Sequence, residues 1–220
     1  MNTKIVLCAV AVFLGSTSAV FGQAEPPTSK NPMSFFITSK PPGSGNLGGL
    51  AGADRICQEL ATSVGAGART WRAYLSQEAI ADLPRVDARS RIGNGPWYNA
   101  KGQLIAANVA DLHGDDQRDR IALTKWTALT EKGEYVPAGG DPMPSEHDIM
   151  TGTDSRGYAF TNGLYHTCKN WTSDANDDIV VVGHHDRTGV SNTSWNSSHT
   201  VLCNPHPAGR GKRFYCFAAN

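Results

Sequence analysis

"LAGADRICQELATSVG", Leu50 to Gly65, is the one stretch of this chain with a sustained helical period. Leu50, Ala53, Ile56, Cys57, Leu60, Ala61 and Val64 recur at three- and four-residue steps, and Gly65 is placed to stop the run. The spacing predicts an amphipathic helix with Cys57 on its buried face. On either side the pattern changes to short strands. "SFFITS" before the helix, "TWRAYLS" after it, and "DIVVVG", "HTVLC" and "RFYCFA" near the end of the chain are strand-length apolar runs. "TWRAYLS" alternates Trp71, Ala73 and Leu75 against Arg72, Tyr74 and Ser76, which predicts a half-buried strand. "PWYNAKGQLIA" reads as two strand ends around an Asn-Ala-Lys-Gly turn, and "SQEAIADLP" as a second, shorter helix. Gly, Pro, Asn and Ser punctuate the rest, so the expected class is α+β with one or two helices, short antiparallel strands and long loops.

The first residues belong to a different pattern. Lys4, the apolar "IVLCAVAVFL" and the small-residue "GSTSAVFGQA" form a secretory leader over residues 1–24, cleaved after Gly22 or Ala24, and Cys8 leaves with it. Residues 25–34 follow as a flexible, Pro-rich linker. The expectation is a secreted or periplasmic protein with one domain over 35–220 and no transmembrane segment, since the leader's apolar core is too short to span a bilayer. Within that domain, residues 111–148 carry the charged run "HGDDQRDR" and the turn-rich "GEYVPAGGDPMPSEH", and read as a solvated insertion.

The 20 basic residues, less Lys4, face 20 acidic ones, leaving one net negative charge. Without a concentrated basic face, nucleic acid and anionic membrane are excluded as partners. Of 5 cysteines, Cys57, Cys168, Cys203 and Cys216 remain after cleavage. In an oxidising compartment they imply two disulfides, and counting alone allows any of three pairings.

Several stretches together resemble the C-type lectin-like fold, and within it the endostatin-like branch found at the end of certain collagens. They are "LAGADRICQELA" with "TWRAYLS", "PWYNAKGQL", "MTGTDSRG" followed by "CKNW", and the final "VLC" and "FYCF". The chain is also similar to exported bacterial proteins described as lectins, in which a Gly-rich loop leads into "GLAGAD" and then the first cysteine. The resemblance spans residues 35 to 220 and implies that Cys57 pairs with Cys216 and Cys168 with Cys203. It further implies that the segment between Cys168 and Cys203, which contains "VVVGHHDRTG", contributes to recognition.

The chemistry carried by that segment is the remaining question. The calcium-dependent sugar motif of the fold, a Glu-Pro-Asn or Gln-Pro-Asp triplet with Trp-Asn-Asp before the third cysteine, is absent: Trp195, Asn196 and Ser197 put a hydroxyl where the carboxylate belongs. Asp174, Asn176 and Asp178 alternate as in an EF-hand loop, but Ile179 stands at its glycine position and His185 at its bidentate acid. No cofactor is expected, with calcium left open on the weak ligands Asp174, Asn176 and Asp178. For zinc, His184 and Asp186 cannot close a site alone, and His199, His166 or His206 would have to approach. The zinc ligands of the endostatin branch lie mainly near the start of the domain, where this chain has no histidine.

A secreted hydrolase is the less favoured reading. No G-x-S-x-G, H-E-x-x-H or papain-like signature occurs, and a His185–Asp186 pair with Ser191 or Ser194 as nucleophile is a triad only if space makes it one. Gly43, Gly45 and Gly48 match G-x-G-x-x-G without the βαβ context of a dinucleotide site. The sequence therefore points to a binding module with no catalytic residue, recognising a carbohydrate or glycoconjugate. His184, His185, Asp186, Asn192, Trp195 and Asn196 would supply planar hydrogen-bonding groups and an aromatic face. A protein-interaction module of the same fold is the alternative. Trp126, Trp171 and Trp195 are otherwise expected to anchor core or loops.

Overall fold

Arg213–Ala218, the run "RFYCFA", is the strand around which the chain is assembled. The computed structural model describes residues 30–115, 122–142, 144–189, 193–205 and 211–220. The leader over 1–24, Ser191, Asn192 and His206 lie outside them. Within these residues the elements are β1 Phe35–Ile37, α1 Gly49–Ser63, β2 Trp71–Ala73, α2 Ala88–Arg91, β3 Trp97–Tyr98, β4 Leu104–Ala106, α3 Val109–His113, β5 Asp148–Met150, β6 Ile179–His184, β7 His199–Leu202 and β8 Arg213–Ala218. The protein is α+β, with few helices and short strands.

The sheet runs β1-β8-β5-β6-β7, with β2 also on β8. β1 takes one edge of β8, and β5 and β2 share the other in succession, at Arg213–Phe214 and at Cys216–Ala218. Because strand side chains alternate, β8 sends Phe214, Cys216 and Ala218 into one core and Tyr215 and Phe217 into a second. β1 splits in the same way, with Phe36 on one side and Phe35 and Ile37 on the other. A strand covered on both faces is apolar throughout, which is why these runs show no polar alternation.

Helix α1 packs Ala53, Cys57 and Ala61 onto the first core, with Leu50, Ile56 and Leu60 at its margin. Gly65, at φ 81°, turns the chain out of the helix. The second core is aromatic: Trp97 meets Phe217 edge-on at 5.3 Å, and Tyr74 and Trp195 lie 4.9 Å apart. The disulfides join Cys57 to Cys216, 159 residues apart, and Cys168 to Cys203, 35 apart. Loops of those lengths correspond to about 5 and about 4 kcal/mol of denatured-state entropy. The first bridge ties α1 to the central strand β8.

Several local expectations change. "SQEAIADLP" is not helical: Gln77 bridges Val86, Ile80 bridges Leu83, and Ala81 turns between them. Glu78 is buried there, where its carboxylate accepts from Thr167 Oγ1 at 2.8 Å and His166 N at 2.7 Å, an attachment that a helix would not permit. "TWRAYLS" is buried on both faces rather than half-buried, with Tyr74 and Ser76 fully enclosed. The linker ends sooner than 34, because Ser34 is buried and its carbonyl accepts from Ala218 N at 2.9 Å. Most of the charged run, residues 116–121, and residue 143 lie outside the described residues, but the described part of 111–148 is not a solvated insertion: Leu112, His113, Leu123, Ala128, Leu129, Val136 and Ala138 are buried. Leu129 holds the segment against β1 by accepting from Ile37 N at 2.8 Å.

Gly45 serves the disulfide and not a phosphate. A Cβ there would lie 2.2 Å from Cys168 Sγ, so only glycine lets the loop cross the bridge. The residues that follow, Cys168–Trp171, form one turn of left-handed helix, with φ between 50° and 67°. That conformation costs roughly 1–2 kcal/mol per residue. It is held by Asn170, whose side chain accepts from Glu78 N at 2.8 Å and donates to Glu78 O at 2.9 Å, and by Trp171 Nε1 donating to Ser76 O at 2.8 Å.

Candidate functional site

The stretch "VVVGHHDRTG" enters on β6 and leaves through a turn closed by Arg187 N donating to His184 O at 3.0 Å. Alternation along β6 does not deliver its three polar residues to one surface. His185 is fully buried, and neither ring nitrogen has a hydrogen bond of good geometry. Burial holds its pKa down at about 4 despite the opposing pull of Asp186 and the Pro137 carbonyl. The Asp186 side chain is also enclosed, accepting from Gly139 N at 2.6 Å, Thr188 N at 3.0 Å and Thr188 Oγ1 at 2.8 Å. Burial works against its ionised form, but these donors outweigh it and hold the carboxyl at about 2. The role of Asp186 is to fasten the 139 loop to the β6 turn.

Trp195 and Asn196 are likewise interior. Trp195 packs between Tyr74 and Tyr215 at 4.9 and 5.3 Å, and its carbonyl accepts from Tyr215 Oη at 2.8 Å. Asn196 Nδ2 donates to Tyr74 Oη at 3.0 Å and to the Asp154 and Ser155 carbonyls at 3.2 and 3.3 Å. The aromatic face expected to meet a sugar is therefore spent inside the protein, and of the described members of the expected recognition set Trp195 and Asn196 turn an edge toward a cleft. Trp126 corrects the other way: it is 62% exposed, with Tyr135 edge-on at 5.5 Å and Lys125 Nζ over its ring at 5.2 Å.

What those edges reach is a cleft of about 650 Å³. Its floor is Trp195, Asn196 and His113, and its walls carry Arg89, Asp115, Arg156, Tyr158 and Arg187. Arg89 lies 4.9 Å over the Tyr158 ring, donates to Asp115 Oδ2 at 2.6 Å and to Arg156 O at 2.8 Å, and so presents a fixed guanidinium edge. Arg156 and Arg187 make no ion pair with a described residue, which leaves the walls with a cationic excess. His113, at the end of α3, donates or accepts at Tyr74 Oη over 2.8 Å and engages Val109 O at 2.7 Å. Desolvation lowers its pKa to about 4, so the floor is neutral at pH 7. Gly157 closes the floor, because a Cβ there would lie 2.4 Å from His113 Nε2.

The weak calcium ligands do not act as a set. Asp178 accepts from Lys169 Nζ at 3.0 Å and from Ser173 Oγ, which with Lys169 keep it ionised and already paired, while Asp174 and Asn176 face solvent. His166 goes to Glu78, its Nδ1 3.3 Å from Oε1, and takes no part with His184. His199 does approach His184, with ring centroids 5.1 Å apart. The arrangement that could hold a metal includes two residues the sequence did not single out: ligand atoms of His147, Asp148 and His184 lie within 4.8 Å of one another. His147 and Asp148 sit at the end of the segment read as solvated. Their only local signal is the adjacent His-Asp pair in "SEHD".

No helix among the described residues is long and apolar enough to cross a membrane. The chain matches no protein-family model and no curated protein.

Proposed function

We propose that this is an exported binding module of the C-type lectin-like kind that recognises carbohydrate, with acidic sugars favoured, in the cleft floored by Trp195, Asn196 and His113. The observation that carries the reading is the lining of that cleft: Arg89, Arg156 and Arg187 against the single carboxylate of Asp115, beside the exposed ring of Tyr158. Guanidinium groups bind carboxylates and sulfates in a bidentate manner and donate to sugar hydroxyls, and a Tyr ring covers a C–H face. The loop between Cys168 and Cys203 contributes Arg187, Thr193, Ser194, Trp195 and Asn196 to the lining. The two disulfides, one joining the first helix to the last strand, support the lectin-like reading, and together with the apolar leader they support export.

The test is a glycan array probed with the mature protein, with and without a calcium chelator. Chelator-insensitive binding, weakened at least about tenfold by Arg156→Ala and by Tyr158→Ala with unchanged Tm, is the expected result. Absence of binding to every glycan overturns the reading. A protein-interaction module is favoured by one separate observation, the exposed Trp126 and Tyr135 flanked by Lys125 and Lys101. Exposed aromatics of this kind are typical anchors at protein interfaces. Capture of a defined protein partner that is lost in Trp126→Ala would favour it.

A further inference from the structure

The geometry points to a zinc site formed by His147, Asp148 and His184 where β5 meets β6, with His199 of β7, which reaches Asp148, standing beside them as the fourth ligand that would tie in β7. Register brings these residues to one place: Asp148 is paired with His184 across β5 and β6, and His199 with Val182 across β6 and β7, next on the same face of β6. His147 enters from the residue before β5, with its ring stacked on that of His184 at 4.2 Å and 9°.

Three ring nitrogens converge on one oxygen. Asp148 Oδ1 lies 3.5 Å from His147 Nε2, 3.3 Å from His184 Nε2 and 3.2 Å from His199 Nε2. Ligands bound tetrahedrally at zinc distances of about 2.0–2.1 Å are separated by about 3.3 Å. The three spacings to Asp148 Oδ1 are of that size, and the ligand atoms of His147, Asp148 and His184 lie within 4.8 Å of one another, with His199 outside that group. Larger, oxygen-seeking calcium would be a poor occupant of a site with three imidazoles.

The opposite side of each ring decides the tautomer. His147 Nδ1 faces the buried Asp186 carboxylate at 3.3 Å, His184 Nδ1 faces Thr188 O at 2.5 Å, and His199 Nδ1 faces Thr200 O at 3.1 Å. For His147 and His184 these partners are acceptors, so in each neutral ring the proton sits on Nδ1 and the lone pair on Nε2, whereas His199 faces an acceptor at both nitrogens, its Nε2 hydrogen-bonding Asp148 Oδ1 at 3.2 Å. The lone pairs of His147 and His184 then meet a carboxylate oxygen. Acceptors facing one another repel, and His184 Nε2 is buried with no hydrogen-bond partner. Protonating both of these rings would instead stack two positive charges 4.2 Å apart between Asp148 and Asp186. One divalent cation satisfies the ligand atoms of His147, Asp148 and His184 at once, and His199 has only to turn from Asp148 to fill a fourth position.

Asp186, which holds His147 by its far nitrogen, then plays the carboxylate–histidine–metal role that orients a ligand and raises its basicity. His199 is the outermost ligand, on the last strand of the sheet and 45% exposed in its side chain, and offers the route of entry. The site is independent of the sugar reading, since none of the four ligands lines the cleft.

The experiment is zinc titration of the untagged mature protein, with its disulfides intact, against a chromophoric chelator. It is paired with cobalt(II) absorption to report coordination and with Tm measured with and without zinc. One zinc per chain, a tetrahedral cobalt spectrum and a raised Tm are expected. Affinity should fall at least about tenfold in His199→Ala, whose exposed side chain can be lost without refolding, and by about 10–100-fold in Asp186→Asn, with its zinc-free Tm measured alongside because the amide also replaces one of the two oxygens that accept from Gly139 and Thr188. A protein that takes up no zinc at micromolar concentration overturns the proposal. So does uptake unchanged by His199→Ala and His147→Gln together, which would locate the ion at other histidines.

Discussion

Acidification should destabilise this protein through His113 in particular. The ring is 6% exposed, held between Tyr74 Oη and Val109 O, and burial has lowered its pKa from 6.5 to about 4. In the unfolded chain it titrates near 6.5. As pH falls below that value the unfolded state gains a proton that the folded state refuses, so stability present above 6.5 is lost progressively down to about 4. At about 1.4 kcal/mol per pH unit the total is about 3 kcal/mol, of which about 2.5 kcal/mol is gone by pH 4.5. The assay is guanidinium chloride unfolding at pH 7.5 and pH 4.5 of wild type and His113→Gln, with disulfides intact. Glutamine can still bond to Tyr74 but does not titrate. The variant will be less stable at pH 7.5, but its further loss on acidification should be smaller than wild type's by about 2.5 kcal/mol, since every other titrating group is common to both. Equal losses in the two proteins would refute the reasoning.

Two other perturbations test the scaffold beneath the sites. Gly183→Ala places a Cβ 1.9 Å from Trp195 O and 2.3 Å from Asn196 N, backbone that cannot yield, so it should cost at least ~2 kcal/mol by urea unfolding and displace the cleft floor; an unchanged midpoint would contradict that contact. Asp54 accepts from both a buried arginine and the sheet, with Arg91 Nη2 at 2.8 Å and Ala73 N at 2.9 Å, so Asp54→Ala should cost about 3 kcal/mol and Arg91→Met in the same chain should recover part of it. No recovery in the double variant would mean that the stranded charge is not the cause.

The parts of the fold that could be read in the sequence are those governed by neighbours along the chain. The α1 period, the strands β6, β7 and β8, and the Asn99 turn, whose Oδ1 accepts from Lys101 N and Gln103 N at 3.0 Å, are all local patterns. Where local patterns misled, a distant group had intervened. Glu78 is drawn out of a helical stretch by Thr167 and His166, some ninety residues away, and the scattered apolar residues of 123–138 find cover only because β1 and the second core are there to receive them. The candidate site was less legible still. His185, Trp195 and Asn196 have the chemistry of recognition but are enclosed, whereas Arg89, Arg156 and Tyr158 carry no motif that marks them out.

By itself the sequence determined an α+β chain with one strongly periodic helix, strand-length apolar runs and four cysteines for two disulfides, because alternation and helical period are properties of consecutive residues. Tertiary structure alone decided which polar groups meet. His147, Asp148, His184 and His199 lie on three strands or beside them, and a shift of one residue in either pairing would turn the ring of His184 or His199 to the opposite face. The convergence of three imidazoles on one carboxylate is therefore a consequence of strand register, which no short stretch of this sequence encodes.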